Sequence, residues 1–321
     1  MKEKNLSLEL VKFFAVILVA NHWMAPLYVK YKVLSTGGAI GDVLFFFASG
    51  YTLFLGRFGR FDNWYKRRIR RIYPSIFAFA GILSYAGIKQ LSISEIVKGG
   101  GLWFIKCIMI YYVVLYFVRR YAEHKPLIPF VMSVSVVLIW YMFEDSSSLF
   151  MYGGTYFKWG HYFLFMLLGA YIGNKTIEMK SKPLFGVTLL VVSLVLFYGL
   201  QILAGRYEFM AHLQIITLLP LMGVVIGIYK LCNTAAVDKM MRTKTGLCLQ
   251  FIAGLCLEIY VVSDIVIKQM IGKLTDFFPF NLLATFLIIV AVAYLTRCLA
   301  RIFSQIFEKN DMDWKGVLRL V

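Results

Sequence analysis

The sequence predicts an all-α polytopic membrane protein with about ten transmembrane helices and both termini in the cytoplasm. Hydrophobic residues make up 60% of the 321 positions, and the mean hydropathy is +0.73. Apolar stretches of spanning length recur along the chain, and positive charges are concentrated in alternate connecting segments. Since soluble domains are closer to half apolar, this excess is typical of a chain that folds in lipid.

Ten mainly apolar windows give the helix count, because a spanning helix needs about 20 such residues. Several windows are short or interrupted, and we find no internal repeat and no stretch typical of a soluble domain. The windows are residues 8–28, 38–58, 74–88, 102–122, 126–143, 157–174, 184–204, 212–231, 247–268 and 280–300. We therefore expect residues 1–321 to form one transmembrane domain that ends in a short cytoplasmic tail at 302–321.

The orientation follows from the basic residues, which give the chain a net charge of +17. With the N-terminus inside, the segments predicted to be cytoplasmic hold roughly three times as many Lys and Arg residues as the outer segments. Membrane topology thus accounts for a charge that would suggest nucleic-acid binding in a soluble protein. The densest segment begins at the end of the second window and contains Arg57, Arg60, Lys66, Arg67, Arg68, Arg70 and Arg71.

The first window carries polar side chains that are costly inside a bilayer. Glu9 and Lys12 are three residues apart, so they are expected to pair near the cytoplasmic end of the helix. His22 lies at the other end, next to Asn21. A buried imidazole is a natural general base for a hydroxyl group, and the alternative is a histidine satisfied by a backbone carbonyl.

The second window contains a polar notch, Ser49 and Gly50, inside the apolar stretch FFFASGY. The basic run behind it has three interpretations. It is a topology signal, a patch for lipid headgroups, or a set of Arg forks that bind phosphate.

Later windows hold weaker candidates for a substrate pocket. Glu258 lies in the middle of an apolar window, where it is expected to face a cavity. Trp103 begins the fourth window, and Lys106 is expected to snorkel to the outer surface. His161 follows Lys158 and a tryptophan, so an interfacial position competes with a role in the pocket. The five cysteines are scattered without a C-x-x-C pair, and no metal site is predicted.

Four stretches together resemble the acyltransferase-3 family, the bacterial membrane O-acyltransferases that decorate surface glycans. They are ELVKFFAVILVANH at 9–22, GDVLFFFASGY at 41–51, YKRRIRRIYP at 65–74 and LWFIKCIMIYYVV at 102–114. The resemblance implies a ten-helix bundle in the bacterial inner membrane. It also implies transfer of an acyl group, usually acetyl, from cytoplasmic acyl-CoA to a hydroxyl of a polysaccharide or lipid-linked sugar.

The resemblance also implies site residues. The essential histidine of the family maps onto His22, as general base or transient acyl carrier, and its essential arginine maps onto Lys12, which Glu9 steadies. The family separates these two positions by ten residues and this chain by nine, so a one-residue bulge in the first helix would restore the spacing. Late in the chain, Ser263 stands where many members have a histidine.

The family's arginine pair maps onto Arg68 and Arg71, and with Lys66 and Arg67 these residues are expected to hold the phosphates of acetyl-CoA. The acyl-pantetheine arm is expected to pass Ser49 and Gly50. A different class of function, a transporter or flippase for a polyanion or lipid-linked sugar, would instead use the basic run, Glu258 and Lys106 to line a path. A purely structural partner protein is the third class, and it requires none of these residues for chemistry.

Overall fold

The computed structural model describes residues 5–28, 30–56, 58–125, 127–145, 151–174, 182–274, 278–306 and 312–320. Within these ranges every regular element is a helix, which confirms the all-α class. Arg57, the first member of the predicted basic segment, lies outside the described residues.

Fifteen α-helices occur in the described ranges, and each of the ten apolar windows overlaps at least one of them. Three short 3₁₀ helices, Ala25–Tyr28, Lys32–Leu34 and Gln214–Thr217, connect some of them. The α-helices are α1 Leu6–Trp23, α2 Gly38–Leu55, α3 Phe61–Tyr85, α4 Ile93–Val97, α5 Trp103–Ala122, α6 Leu127–Phe143, α7 Phe157–Gly173, α8 Pro183–Ala204, α9 Glu208–Ala211, α10 Leu218–Cys232, α11 Ala235–Met241, α12 Lys244–Gly254, α13 Cys256–Met270, α14 Phe280–Ile306 and α15 Trp314–Val317.

Five helical segments of the described chain are long and apolar enough to cross a membrane. They are Leu6–Trp23, Lys32–Leu55, Pro183–Ala204, Gln214–Cys232 and Phe280–Ile306. A sixth span results if α12 and α13, which meet at a bend of 67°, count as one broken helix. The chain is therefore a multi-pass membrane protein.

Two helices differ from their predicted windows in ways that bear on function. Helix α3 begins at Phe61, well before the window at 74–88, so residues 66–71 lie on a helix and not in a loop. Helix α1 is an uninterrupted α-helix from Leu6 to Trp23 and contains no bulge between Lys12 and His22.

The chain divides into two compact units. The first unit comprises Met1–Ala15, Ala39–Arg57 and Val114–Gly246, and the second comprises Val16–Gly38, Phe58–Val113 and Leu247–Val321. Helices α1, α2, α5 and α12 contribute residues to both units.

Glycines set the closest helix contacts in the first unit. A Cβ atom on Gly50 of α2 would overlap the carbonyl of Met166 on α7, and one on Gly169 would overlap the carbonyl of Phe47. Small residues of this kind let helix backbones approach closely, which is how helices pack where lipid removes the hydrophobic drive between them. Gly227 of α10 meets the backbone of Leu190 on α8 in a similar way.

In the second unit, α14 packs against α3 and α13. Helix α14 continues to Ile306, past residue 302, where the cytoplasmic tail is expected to begin. The segment at 312–320 then folds back along α14, where Arg301 donates hydrogen bonds to the carbonyls of Val317 and Arg319. The hydroxyl of Tyr294 donates to the carbonyl of Leu318.

Candidate active site

His22 lies in the last turn of α1, in the second unit, with an exposed side chain. Its Nδ1 atom is 3.3 Å from the carbonyl oxygen of Ser35. Because a carbonyl only accepts hydrogen bonds, this contact requires the proton on Nδ1 and leaves the lone pair of the neutral ring on Nε2. The imidazole lies directly against Gly38, where a Cβ atom would be 2.6 Å from Cδ2 of the ring. Any larger residue at position 38 would displace the histidine.

Aromatic rings bring three segments of the second unit together. The ring of Trp23, next to His22, lies 4.9 Å from that of Tyr260 on α13. Phe104, at the start of α5, lies 4.8 Å from the same tyrosine. Trp103 stands edge-on to Phe104 at 6.0 Å. The end of α1, the start of α5 and α13 therefore share one aromatic cluster, with ring distances in the favourable range for aromatic pairs.

The first half of α3, also in the second unit, presents an exposed basic surface made of Lys66, Arg67, Arg70 and Arg71. Arg68 is less exposed, and its guanidinium lies 4.7 Å from the ring centroid of Trp64. Trp64 is only 1% exposed and anchors this end of the helix. A guanidinium stacked on an indole is held in a defined orientation.

Glu258, predicted to face a cavity, is buried and paired. Its carboxylate accepts hydrogen bonds from Arg297 at 2.7 Å and from the Ser75 hydroxyl at 2.9 Å. Arg297 also donates to the carbonyl of Gly254, the last residue of α12. Buried charges need such partners, so the group joins α3, α13 and α14 at the bend. Arg297 is its cation.

Ser263, for which the family resemblance implies a histidine in many members, bonds to its own helix. Its hydroxyl donates to the carbonyl of Ile259 at 2.5 Å, and the residue is buried. A hydroxyl bonded in this way satisfies itself within the helix, and it supplies no base.

In the first unit, the predicted pair of Glu9 and Lys12 is confirmed. The ammonium of Lys12 lies 2.9 Å from a carboxylate oxygen of Glu9, and both side chains are largely buried. The space beside Gly50 is filled by the backbone of α7. At Gly50 the two helices are therefore in backbone contact, and the contact leaves no room for an acyl arm. Ser49 is half-buried.

His161, one of the residues for which the sequence left an interfacial position or a pocket role open, is fully buried in the first unit. Its ring is 0% exposed and is surrounded by aromatic side chains. The ring centroids of Tyr152, Phe157 and Tyr162 lie 5.4, 5.3 and 4.6 Å away. The neighbouring Lys158 and Trp159 suggested that His161 lies at the membrane surface. In the structure, aromatic side chains around α7 enclose its ring.

No group of three or more His, Cys, Asp and Glu side chains in the described ranges is arranged to hold a metal ion. A sequence model of the acyltransferase-3 family, described as "Acyltransferase domain", matches residues 5–298. The chain belongs to this family. Comparison of this chain with curated proteins and with solved structures found no match. The match extends from the start of α1 into α14, so this acyltransferase-3 protein carries the domain over nearly its whole length.

Sequence reasoning missed Arg119, a buried residue in the first unit of this acyltransferase-3 protein. Its guanidinium donates hydrogen bonds to the carbonyls of Leu53 at 2.6 Å and Gly56 at 2.9 Å. These carbonyls lie at the C-terminal end of α2, where backbone groups lack partners within the helix. The sequence shows a basic pair after an apolar helix, a pattern identical to that of a topology signal.

We expect Arg119→Ala to lower the free energy of unfolding by about 3 kcal/mol, because each charge-assisted hydrogen bond contributes on the order of 1.5–3 kcal/mol and Leu53, one of the two acceptors, is buried. Arg120→Ala is the matched control. Arg120 is exposed, so its removal changes the topology charge equally but leaves α2 intact. Thermal unfolding in detergent compares the two. Equal losses would show that Arg119 acts only as a positive charge.

Proposed function

We propose that this protein is a membrane O-acyltransferase of the bacterial inner membrane. It transfers an acyl group, acetyl in the first instance, from cytoplasmic acyl-CoA to a hydroxyl of a surface polysaccharide or lipid-linked sugar. The proposal includes ten membrane-crossing helices with both termini in the cytoplasm. One observation carries it: in a chain of this family, the exposed imidazole of His22 bonds Ser35 through Nδ1, which leaves the Nε2 lone pair for chemistry.

In the proposed reaction, Nε2 of His22 accepts the proton of the acceptor hydroxyl as its oxygen attacks the thioester carbonyl. The carbon–sulfur bond breaks, and the imidazolium returns the proton to the departing thiolate, which leaves as CoA. In the alternative sequence, Nε2 itself attacks the carbonyl, the carbon–sulfur bond breaks, and CoA leaves as the thiolate. The acceptor hydroxyl then attacks the acyl-imidazolium, the carbon–nitrogen bond breaks, and the hydroxyl proton passes through solvent to the thiolate. Acid-quenched protein carries a labelled acyl group only in the second sequence.

The donor is proposed to bind through its phosphates to Lys66, Arg67, Arg68 and Arg71. Four features support this binding site. The first half of α3 is exposed and cationic, and Trp64 orients Arg68. This part of α3 lies in the same unit as His22, and phosphate is an anion that Arg forks match well. Separate roles for Ser49 and for the Glu9–Lys12 pair remain predictions of the sequence. So do pocket roles for Trp103 and His161.

We expect Arg71→Gln to raise the KM for acetyl-CoA about tenfold with little change in kcat, since one charge-assisted contact is worth about 1.4 kcal/mol or more. Acetyl-pantetheine, which has no phosphate, is the matched substrate. Its KM should be unaffected by the substitution and by added salt, which screens exposed charges. An equal rise in the KM of both donors would contradict phosphate binding by α3.

Purified protein in proteoliposomes tests the function itself. With acetyl-CoA outside and polysaccharide or lipid extract from cells that lack the gene as acceptor, we expect release of free CoA thiol in proportion to acyl groups gained by the acceptor. Movement of the acceptor across the bilayer without thiol release would instead identify a transporter.

A further inference from the structure

Asn21 is adjacent to His22, and its side-chain amide joins the end of α1 to the turn at residues 34–37, just before α2. Its Nδ2 donates to the carbonyl oxygens of Leu34 at 2.8 Å and Thr36 at 3.0 Å. Its Oδ1 accepts from the hydroxyl of Tyr28. Two carbonyl acceptors and one hydroxyl donor also fix which end of the amide is nitrogen.

The residue between those two carbonyls is Ser35, whose own carbonyl faces Nδ1 of His22. Ser35 is held a second time, because its N–H and its hydroxyl both donate to the carbonyl of Lys32, at 3.0 and 2.6 Å. The turn continues through Gly37, at a φ of 101°, to Gly38 beneath the imidazole. The acceptor for His22 is therefore a peptide unit with fixed neighbours on both sides.

We propose that Asn21 is a positioning residue. By holding the carbonyls of Leu34 and Thr36, it fixes the Ser35 carbonyl that keeps the proton of His22 on Nδ1 and the lone pair on Nε2. Which ring nitrogen of a histidine carries the proton is set by the hydrogen bond of the other, so a residue that fixes the acceptor controls the reactive nitrogen. The inference rests on the proposed function only in taking Nε2 of His22 as the reacting atom.

The test is the tautomer of His22, read by ¹⁵N NMR of histidine-labelled protein in nanodiscs above the usual imidazole titration range. His22→Gln assigns the signal by difference among the four histidines. We expect wild-type His22 to carry its proton on Nδ1. Asn21→Leu has nearly the same shape but no amide, and it should give a mixture of both tautomers. Tyr28→Phe removes one partner of Asn21, leaves both contacts to the turn, and should preserve the wild-type signal.

Kinetics provide the second readout. Asn21→Leu should lower kcat on the order of tenfold to a hundredfold, the range expected for a misplaced catalytic group, with the KM for acetyl-CoA unchanged. A wild-type His22 protonated on Nε2 overturns the proposal even if Asn21→Leu fails to fold. An unchanged tautomer, or an unchanged kcat, in folded Asn21→Leu also overturns it. The NMR result requires no turnover, so it tests the role of Asn21 independently of the proposed function. The proposed function fails separately, if His22→Gln remains active.

Discussion

His22→Gln is expected to lower acyl transfer by about 10²–10⁴-fold, the contribution of general acid–base catalysis. Glutamine has similar size, and it can still reach the Ser35 carbonyl, but its amide has no basic nitrogen lone pair. The protein should fold and insert normally because the His22 side chain is exposed, beside Gly38 and the turn at Ser35. The rate of CoA release with saturating donor and acceptor is the measurement.

The matched control is His124→Gln. His124 is an exposed histidine in the turn after α5, so the substitution removes the same chemical group from a position without a proposed role. It should leave the rate unchanged. Near-normal activity in His22→Gln would contradict both the general base and the acyl carrier, since either mechanism needs the Nε2 lone pair.

Glu258→Ala is expected to give the largest loss of stability, about 3–5 kcal/mol, because it leaves the charge of Arg297 buried without its carboxylate. Arg297 is 18% exposed and Glu258 only 6%. Water therefore cannot fully replace the missing partner. Unfolding followed in detergent as a function of temperature or denaturant gives the difference from the wild type.

Two variants make this prediction specific. The double variant Glu258→Met with Arg297→Met removes both charges and should recover much of the loss, as apolar replacements of buried pairs often do. Asp264→Ala breaks an exposed ion pair with Lys268 on the same helix and should cost only about 0–1 kcal/mol. If Glu258→Ala costs no more than Asp264→Ala, the buried pair does not hold the bend between α12 and α13.

Local features of the site could be predicted from the sequence. Composition and apolar length gave the all-α membrane class, and the spacing of Glu9 and Lys12 gave their contact because residues three apart in a helix share a face. The start of α3 was missed because its first half is charged, and hydropathy detects lipid contact but does not detect helix.

Contacts distant in the sequence could not be predicted. Arg119 and Leu53 are 66 residues apart, and Glu258 and Arg297 are 39 apart. Nothing in a basic residue after an apolar run tells whether it meets water, a phosphate or another helix. Gly50 shows the same ambiguity, since a small residue leaves space for a ligand or for a neighbouring backbone, and here α7 fills that space.

The most direct test of the central claim, that His22 performs acyl transfer to a glycan, is mass spectrometry of surface glycans. Cells lacking the gene are complemented with the wild type or with His22→Gln at equal membrane levels. We predict that the glycans gain the mass of an acyl group in cells with the wild type and not in cells with the variant. If the donor is acetyl-CoA, the gain is about 42 Da for each hydroxyl that is acetylated. The same acyl mass in cells that express His22→Gln, or none with the wild type, would contradict the account.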